Sequence, residues 1–264
     1  YIVQLGEFLY NTFIRFDLGT SYLTGAPVSA EIASRLPRTL ALGIASMVLA
    51  FGIGIPLGVT AAVHQNGWGD RISMIIALLG VSIPTFWLAM LMVLLFSLKL
   101  RWFPASGIGG WEYYVLPTVS LCFGGLATQA RQSRSSMLEV IRSDYVVTAR
   151  AKGLSQREVI FKHALPNALN PIITLAGNNL AVIFGGSVVI ENVFSFPGIG
   201  QYMINAINQR DYPIVRGCVV MLAVVFAVIM LLVDLCYAFN DPRIKSRYVN
   251  TGKKKKAAAA KEQV

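Results

Sequence analysis

The chain has 264 residues, 55% of them hydrophobic and only 14% charged, with a formal net charge of +10. Soluble domains carry roughly 25% charged residues, so the composition excludes an ordinary soluble domain. It also argues against a nucleic-acid-binding face, because the basic residues are gathered into two segments: seven of the 23 Lys/Arg in 131–162 and eight in 243–261.

Residues 1–38 read as an extracytoplasmic segment. Leu5, Phe8, Leu9, Thr12 and Phe13 recur at helical spacing, which predicts a short interfacial helix. The turn-rich Asp17-Leu18-Gly19-Thr20-Ser21 follows. Pro37 stands just before the first long apolar run, where a missing N–H is harmless.

Residues 39–240 form the membrane domain. The runs 39–63, 72–98, 113–130, 164–190 and 217–233 contain no Asp, Glu, Lys or Arg. A bilayer core of about 30 Å needs roughly 20 helical residues. Three runs exceed that length clearly. The runs 113–130 and 217–233 are near it, and the last extends past Asp234 to Phe239. The expected fold is all-α and polytopic, with five visible spans. The first carries Gly54-x-x-x-Gly58, a face for close packing against a neighbouring helix. The second is interrupted at Ser82-Ile83-Pro84, either as a packing kink or as a helix bordering a pathway. The segment 99–112, with Trp102, Phe103, Pro104 and Trp111, reads as an interfacial anchor.

If the runs alternate, Arg71 joins the two basic segments on one side. The other seven cations (Arg15, Arg35, Arg38, Lys99, Arg101, Arg210 and Arg216) fall on the opposite side. The positive-inside rule then places the 132–166 loop and the C-terminus in the cytoplasm and Tyr1 outside. An odd number of spans, an outside N-terminus and no initiating Met imply a preceding helix missing from this chain. Residues 241–264 read as a basic cytoplasmic tail in contact with solvent or lipid.

The loop is punctuated by local chemistry. Asp144 opens a helix, and Arg150 and Lys152 close it, each favourable for the helix dipole. Gly153 occupies the position where a left-handed residue ends a helix. Ser155 and Glu158 form a Ser-x-x-Glu capping box, flanked by Leu154 and Val159 at the staple positions. Pro166 disfavours helical geometry at Leu165 and ends the second helix. The pattern predicts a helix, a sharp turn, a second helix over 156–164, and then a new membrane helix.

Catalytic chemistry is not legible. The chain has no Gly-x-x-x-x-Gly-Lys-Ser/Thr loop to cradle phosphates. It has no His/Cys/carboxylate spacing suited to a metal, and its only histidines are His64 and His163. Cys122, Cys218 and Cys236 lie in or beside apolar runs and read as small buried hydrophobes. Asn178 and Asn179 lie near the middle of the 164–190 run. They either bond between helices or line a pathway. Asp234 sits in the last span, where a basic partner on a neighbouring helix is expected.

Several stretches together resemble one family. Ala149-x-x-x-Gly153, nine residues, and then His163-Ala164-Leu165-Pro166 resembles the cytoplasmic loop of bacterial ATP-binding-cassette importer permeases. Val147, Thr148 and His163 depart from its general form. The run from Asp144 through Tyr145 to Leu154 is similar to the variant in the dipeptide/oligopeptide/nickel branch. So, in order, are Asp17–Ser21, Pro27-Val28, Leu36-Pro37-x-Thr39, Gly54–Gly58, Pro84-Thr85-Phe86-Trp87, Pro104–Gly107, Glu191-x-Val193-Phe194-x-x-Pro197-Gly198-x-Gly200, Asp211-Tyr212-Pro213 and Asp241-Pro242-Arg243.

The resemblance, over residues 5–244, is to the first permease subunit of a type I peptide importer lacking the family's first span. It implies a non-catalytic pore subunit in the bacterial inner membrane. Its partners would be a second, homologous permease, two ATPase subunits holding ATP and Mg, an external binding protein and membrane lipid, with no nucleic acid and no cofactor bound by this chain. Coupling to the ATPases would fall to Asp144, Tyr145, Ala149, Arg150, Lys152, Gly153, Leu154, Ser155, Glu158, Leu165 and Pro166. Pathway or gate candidates are Pro84, Asn178, Asn179, Glu191, Phe194, Pro197 and Gly198, with Glu191 expected at the outer helix end as a gate or binding-protein contact. A nickel or glutathione importer of the same branch is the alternative. A stand-alone channel or secondary transporter would need its own ion or proton relay, and the spans offer little ionisable material beyond Asp234. A membrane scaffold is a further alternative.

Overall fold

The computed structural model describes residues 2–240. Those residues form an all-α bundle, and their one β-type contact is an isolated bridge between Thr20 and Pro27. The tail 241–264, with its Asp241-Pro242-Arg243 motif, lies outside the described residues.

The elements run α1 (Ile2–Leu9), α2 (Val28–Val63), α3 (Trp68–Ser82), α4 (Thr85–Met92), α5 (Glu112–Ile141), α6 (Asp144–Ala151), α7 (Gln156–Glu158), α8 (Leu165–Val193), α9 (Ile199–Gln209) and α10 (Tyr212–Asn240). Each of the five apolar runs falls within this helical framework. Helices α2 and α10 are each long and apolar enough to cross a membrane. Helix α3 and the segment Thr85–Lys99 are so as a pair, bent by 104° at the break between them. The 72–98 run is therefore not one straight span. Ile83 before the proline is extended, as the proline ring requires, and Pro84 serves as the N-cap of α4.

Helix α2 begins at Val28 rather than near residue 39, so the expected boundary at 38/39 falls inside it and Pro37 is interior. The proline removes a bond to the Ala33 carbonyl. Pro37 and Ala33 are both exposed, so that carbonyl is left on the outer face of the helix.

Helices α2 and α5 make the most extensive pair in the bundle. A Cβ on Gly54 would come within 2.8 Å of the Leu126 carbonyl oxygen, and one on Gly58 would overlap the Ala130 carbonyl oxygen. The Gly54-x-x-x-Gly58 face therefore lies directly against the backbone of α5, as its spacing predicts.

Three buried apolar clusters stack along the bundle. One joins Val59 and Ala62 of α2 to Met137 of α5 and to Val146, Ala149, Val159, Ile160 and Ala164 of the loop. The middle one holds Leu42, Leu121, Ile183, Phe194 and Phe196. The third, at the opposite end, joins Leu18, Val28 and Ile32 to Ile199, Ala206, Ile214 and Cys218.

Candidate functional site

The 144–166 loop is ordered by the signals its sequence carries. Asp144 lies in the first turn of α6 and Arg150 in the last. Gly153 takes φ +78°, the left-handed geometry that ends a helix at low cost only for glycine. A Cβ there would meet nothing within 4 Å, so the requirement comes from the backbone alone. Ser155 caps α7 by accepting the Glu158 N–H at 3.3 Å. Its hydroxyl donates to Glu158 Oε2 at 3.0 Å. Lys162 lies 3.2 Å from Glu158 Oε1. The Lys162 ammonium first, and the Ser155 bonds after it, hold the Glu158 carboxyl below its ordinary range.

Two expectations for this loop are corrected. The second helix does not end at Leu165: α7 passes into a wide turn over Val159–Ala164, and α8 starts at once with Leu165 in αR geometry. Pro166 occupies the first turn of α8, where its missing N–H costs little. The wide turn just before it accommodates the proline ring, so the restriction on the preceding residue does not break the helix. Only one member of the staple pair enters the core. Val159 is fully buried, while Leu154 stays exposed.

The loop has two faces. Val146, Ala149, Val159, Ile160 and Ala164 turn inward onto the ends of α2 and α5. Tyr145, Val147, Leu154 and Phe161 are exposed apolar side chains, interleaved with exposed Arg150, Lys152 and Arg157. Leu165 is half-buried and Pro166 exposed.

Beside the loop lies an ion pair that sequence reasoning missed. Arg134 Nε and Nη2 donate to the two oxygens of Asp70 at 2.5 and 2.7 Å, and the Asn66 N–H donates to Asp70 at 2.9 Å. Asp70 is 3% exposed. The Arg134 guanidinium holds its carboxyl below the usual value of 3.8 against the opposing effect of burial. The available signal was that Asp70 is the only acid in the turn 64–71.

The gate candidates gather at the α8–α9 corner. Glu191 is fully buried. Its Oε2 accepts the N–H groups of Gly200 at 2.7 Å and Gln201 at 3.2 Å, and Thr39 Oγ1 accepts the N–H of Ile199 at 2.9 Å. The first turn of α9 thus finds its acceptors on α8 and α2, which answers the orphan donors of a helix start. Of the two roles expected for Glu191, gate or binding-protein contact, the second is corrected here, because its side chain is enclosed by this corner. Phe194 is buried, and its carbonyl accepts the Gly107 N–H at 3.2 Å. The Pro197 carbonyl accepts from Arg38 at 3.3 Å. A Cβ on Gly198 would overlap the Glu191 carboxylate. Pro84 lies apart from this corner, at the α3–α4 bend.

Asn179 donates to Gln129 Oε1 at 3.3 Å, and Gln129 Nε2 donates to the Ile172 carbonyl at 3.3 Å. Asn179 is therefore an interhelical tie between α8 and α5, worth about 0.6–1.7 kcal/mol in lipid, rather than a group facing a pathway. The side chains of Asn178 and Asp234 lie outside the described residues.

Asp211, between α9 and α10, closes the turn that began at Asp17. The Ser21 hydroxyl donates to it at 2.5 Å and the Tyr22 N–H at 3.3 Å. Burial raises its carboxyl and these bonds lower it, with a net depression. Stretches far apart in the sequence, 17–21 with 211 and 104–107 with 191–198, therefore meet in space.

An inward-facing structure of the MetNI methionine ABC transporter superimposes at TM-score 0.66, with 23% identity, over 80% of this chain and 96% of that one. An amino acid ABC transporter structure gives 0.58 at 15% identity, over 81% and 94%. These likenesses establish the fold.

Residues 54–246 match the binding-protein-dependent transport system inner membrane component family. A Brucella abortus protein named as a peptide transport system permease is 43% identical over 92% of this chain and 80% of its own length. A glutathione transport system permease of Salmonella choleraesuis is 42% identical over 87% and 75%. The chain belongs to that family: it is a multi-pass permease subunit of an ATP-binding-cassette importer.

Proposed function

We propose that this permease forms half of a translocation pathway for peptides, with a second, homologous permease as its partner. An external binding protein delivers the peptide, and two ATPase subunits holding ATP and Mg drive the cycle. The chain itself carries no catalytic step. The observation that carries the coupling role is the two-faced 144–166 loop. Its inner face is locked into the bundle, while Tyr145, Leu154, Arg150, Lys152 and Arg157 stand outward on a backbone set by Gly153 and Ser155. A rigid, mixed apolar and basic surface suits seating in another protein, and a force applied there enters α8 directly.

The 43% and 42% relatives support peptides and glutathione about equally, and glutathione is itself a tripeptide. The deciding experiment assembles this chain with its cognate partners in vesicles and measures ATP-dependent uptake of tripeptides and of glutathione. Uptake of neither, with no stimulation of hydrolysis by the loaded binding protein, would refute the peptide reading.

The orientation is part of the proposal: the loop and C-terminus are cytoplasmic and the α8–α9 corner is external. In a background lacking the native cysteines, Ser106→Cys and Ser195→Cys are expected to react with an impermeant thiol reagent in intact cells. Gly67→Cys and Ser155→Cys should react only after lysis. Labelling of Ser155→Cys from outside would reverse the topology.

A further inference from the structure

Helix α8 runs directly from the coupling loop to the α8–α9 corner. It emerges from the wide turn at Ala164 without interruption and is helical to Val193, with Glu191 in its last turn. The chain then folds back over Glu191. The Phe196 N–H donates to the Glu191 carbonyl at 2.8 Å, and the carboxylate takes the N–H groups of Gly200 and Gln201 at 2.7 and 3.2 Å. The seat is close-fitting. A Cβ on Gly200 would stand 2.5 Å from Val188 Cα and 2.9 Å from Glu191 Oε2. The second tether of α9, from Ile199 N–H to Thr39, belongs to a different helix. Being fully buried, Glu191 touches neither solvent nor a delivered substrate.

We propose that Glu191 is a positioning residue for transport: its carboxylate binds the start of α9 to the end of α8. The two helices then move as one body, and a displacement entering at residues 156–164 reaches the 194–200 corner. The proposal rests on the permease reading above. Coupling between distant sites can be carried by a rigid secondary element packed between them, and α8 supplies one. Two successive backbone donors share one carboxylate oxygen, the nearer at 2.7 Å, and such bonds to a carboxylate are charge-assisted, so they resist the relative sliding that would absorb the motion.

The test uses the complete transporter in vesicles with its binding protein, and with tripeptides and glutathione as probes. The readout is uptake per ATP hydrolysed, normalised to assembled complex. Glu191→Ala is expected to lower that ratio by roughly tenfold, within the range for residues that couple sites without touching either. Glu191→Gln keeps an acceptor for both N–H groups and should stay within roughly threefold of the parent, since it loses only the charge assistance. Arg38→Met removes an α2 tether of the same corner, the bond to the Pro197 carbonyl, but leaves the α8 tether, and should hold the ratio near that of the parent.

An unchanged ratio in Glu191→Ala would overturn the proposal. So would an equal fall in Arg38→Met, which would make the corner a matter of general stability. If Glu191→Ala does not assemble, Glu191→Asp carries the test. Its carboxylate is withdrawn by one methylene, and a parental ratio there would overturn the proposal. Failure of the parent complex to transport any probe would instead refute the permease reading for peptides, and this proposal with it.

Discussion

Gly153→Val is expected to abolish uptake while leaving normal amounts of the chain in the membrane. The residue holds φ +78° with open space where a Cβ would go, so the penalty is purely conformational. A left-handed residue with a Cβ costs about 1–2 kcal/mol, and β-branching adds to it. The loop can escape the strain by changing the angle between α6 and the Gln156–Ala164 segment, which would move the exposed face of Tyr145, Leu154 and Arg157 off its seat. Insertion should survive because the apolar runs lie elsewhere. Gly153→Ala should be milder, and Gly153→Asn milder again because asparagine visits this geometry. The measurement is binding-protein-stimulated hydrolysis and uptake per assembled complex. Full uptake by Gly153→Val at normal abundance would return the loop to the status of a basic connection lying on lipid.

Arg134→Ala should act on the fold itself. It leaves the Asp70 carboxylate, 3% exposed, with only the Asn66 N–H and the more distant charge of Arg71. Breaking one side of a buried pair costs about 3–5 kcal/mol. Arg134 keeps a quarter of its side chain exposed, so the low end, about 3 kcal/mol, applies. Thermal unfolding in detergent can be followed by the exposure of Cys122 and Cys218, both buried in the folded protein. Asp70→Asn combined with Arg134→Met should recover most of the loss, since no charge is then stranded. Because the Asp70 carboxyl is depressed in the folded state, the pair's contribution is complete above the ordinary carboxylate value near 3.8 and fades only as pH falls through the lowered one. The deficit of Arg134→Ala should therefore be constant between pH 6 and 8. A variant as stable as the parent would show that the pair is dispensable.

How far the residues announced this structure depended on range. The turn at Gly153 and the cap between Ser155 and Glu158 are decided within a few positions, and both appear where local chemistry puts them. The same holds for Gly54 and Gly58, whose spacing alone marks a helix face. Asp70 and Arg134 are 64 positions apart, and no local rule pairs them. For Glu191 the family resemblance implies a gate or a binding-protein contact at the outer helix end, and no local rule shows that the side chain is buried. Its burial depends on Gly198 and Gly200 folding back over it. Local rules erred at Leu165, where the rule for residues before proline did not foresee a wide turn in front of the ring. They also left open whether Pro84 marks a packing kink or a helix bordering a pathway, and a bend of 104° stands at that point.

Helix α2 has 36 residues, or about 54 Å at 1.5 Å per residue, against a bilayer core of about 30 Å. Along that length it meets almost every neighbour once. Val28 lies against Gly217 of α10, Thr39 holds the start of α9, Gly43 faces the ring of Phe184 on α8, Gly54 and Gly58 seat on α5, and Val59 and Ala62 reach the loop. Each meeting needs its own residue at one azimuth. A single inserted or deleted residue anywhere between them would turn one half of the helix by about 100° against the other and put every contact beyond that point out of phase. Substitutions on the outer face of α2 can drift among apolar residues, but its length is tied to its angular register, and change there is restricted to steps near whole turns.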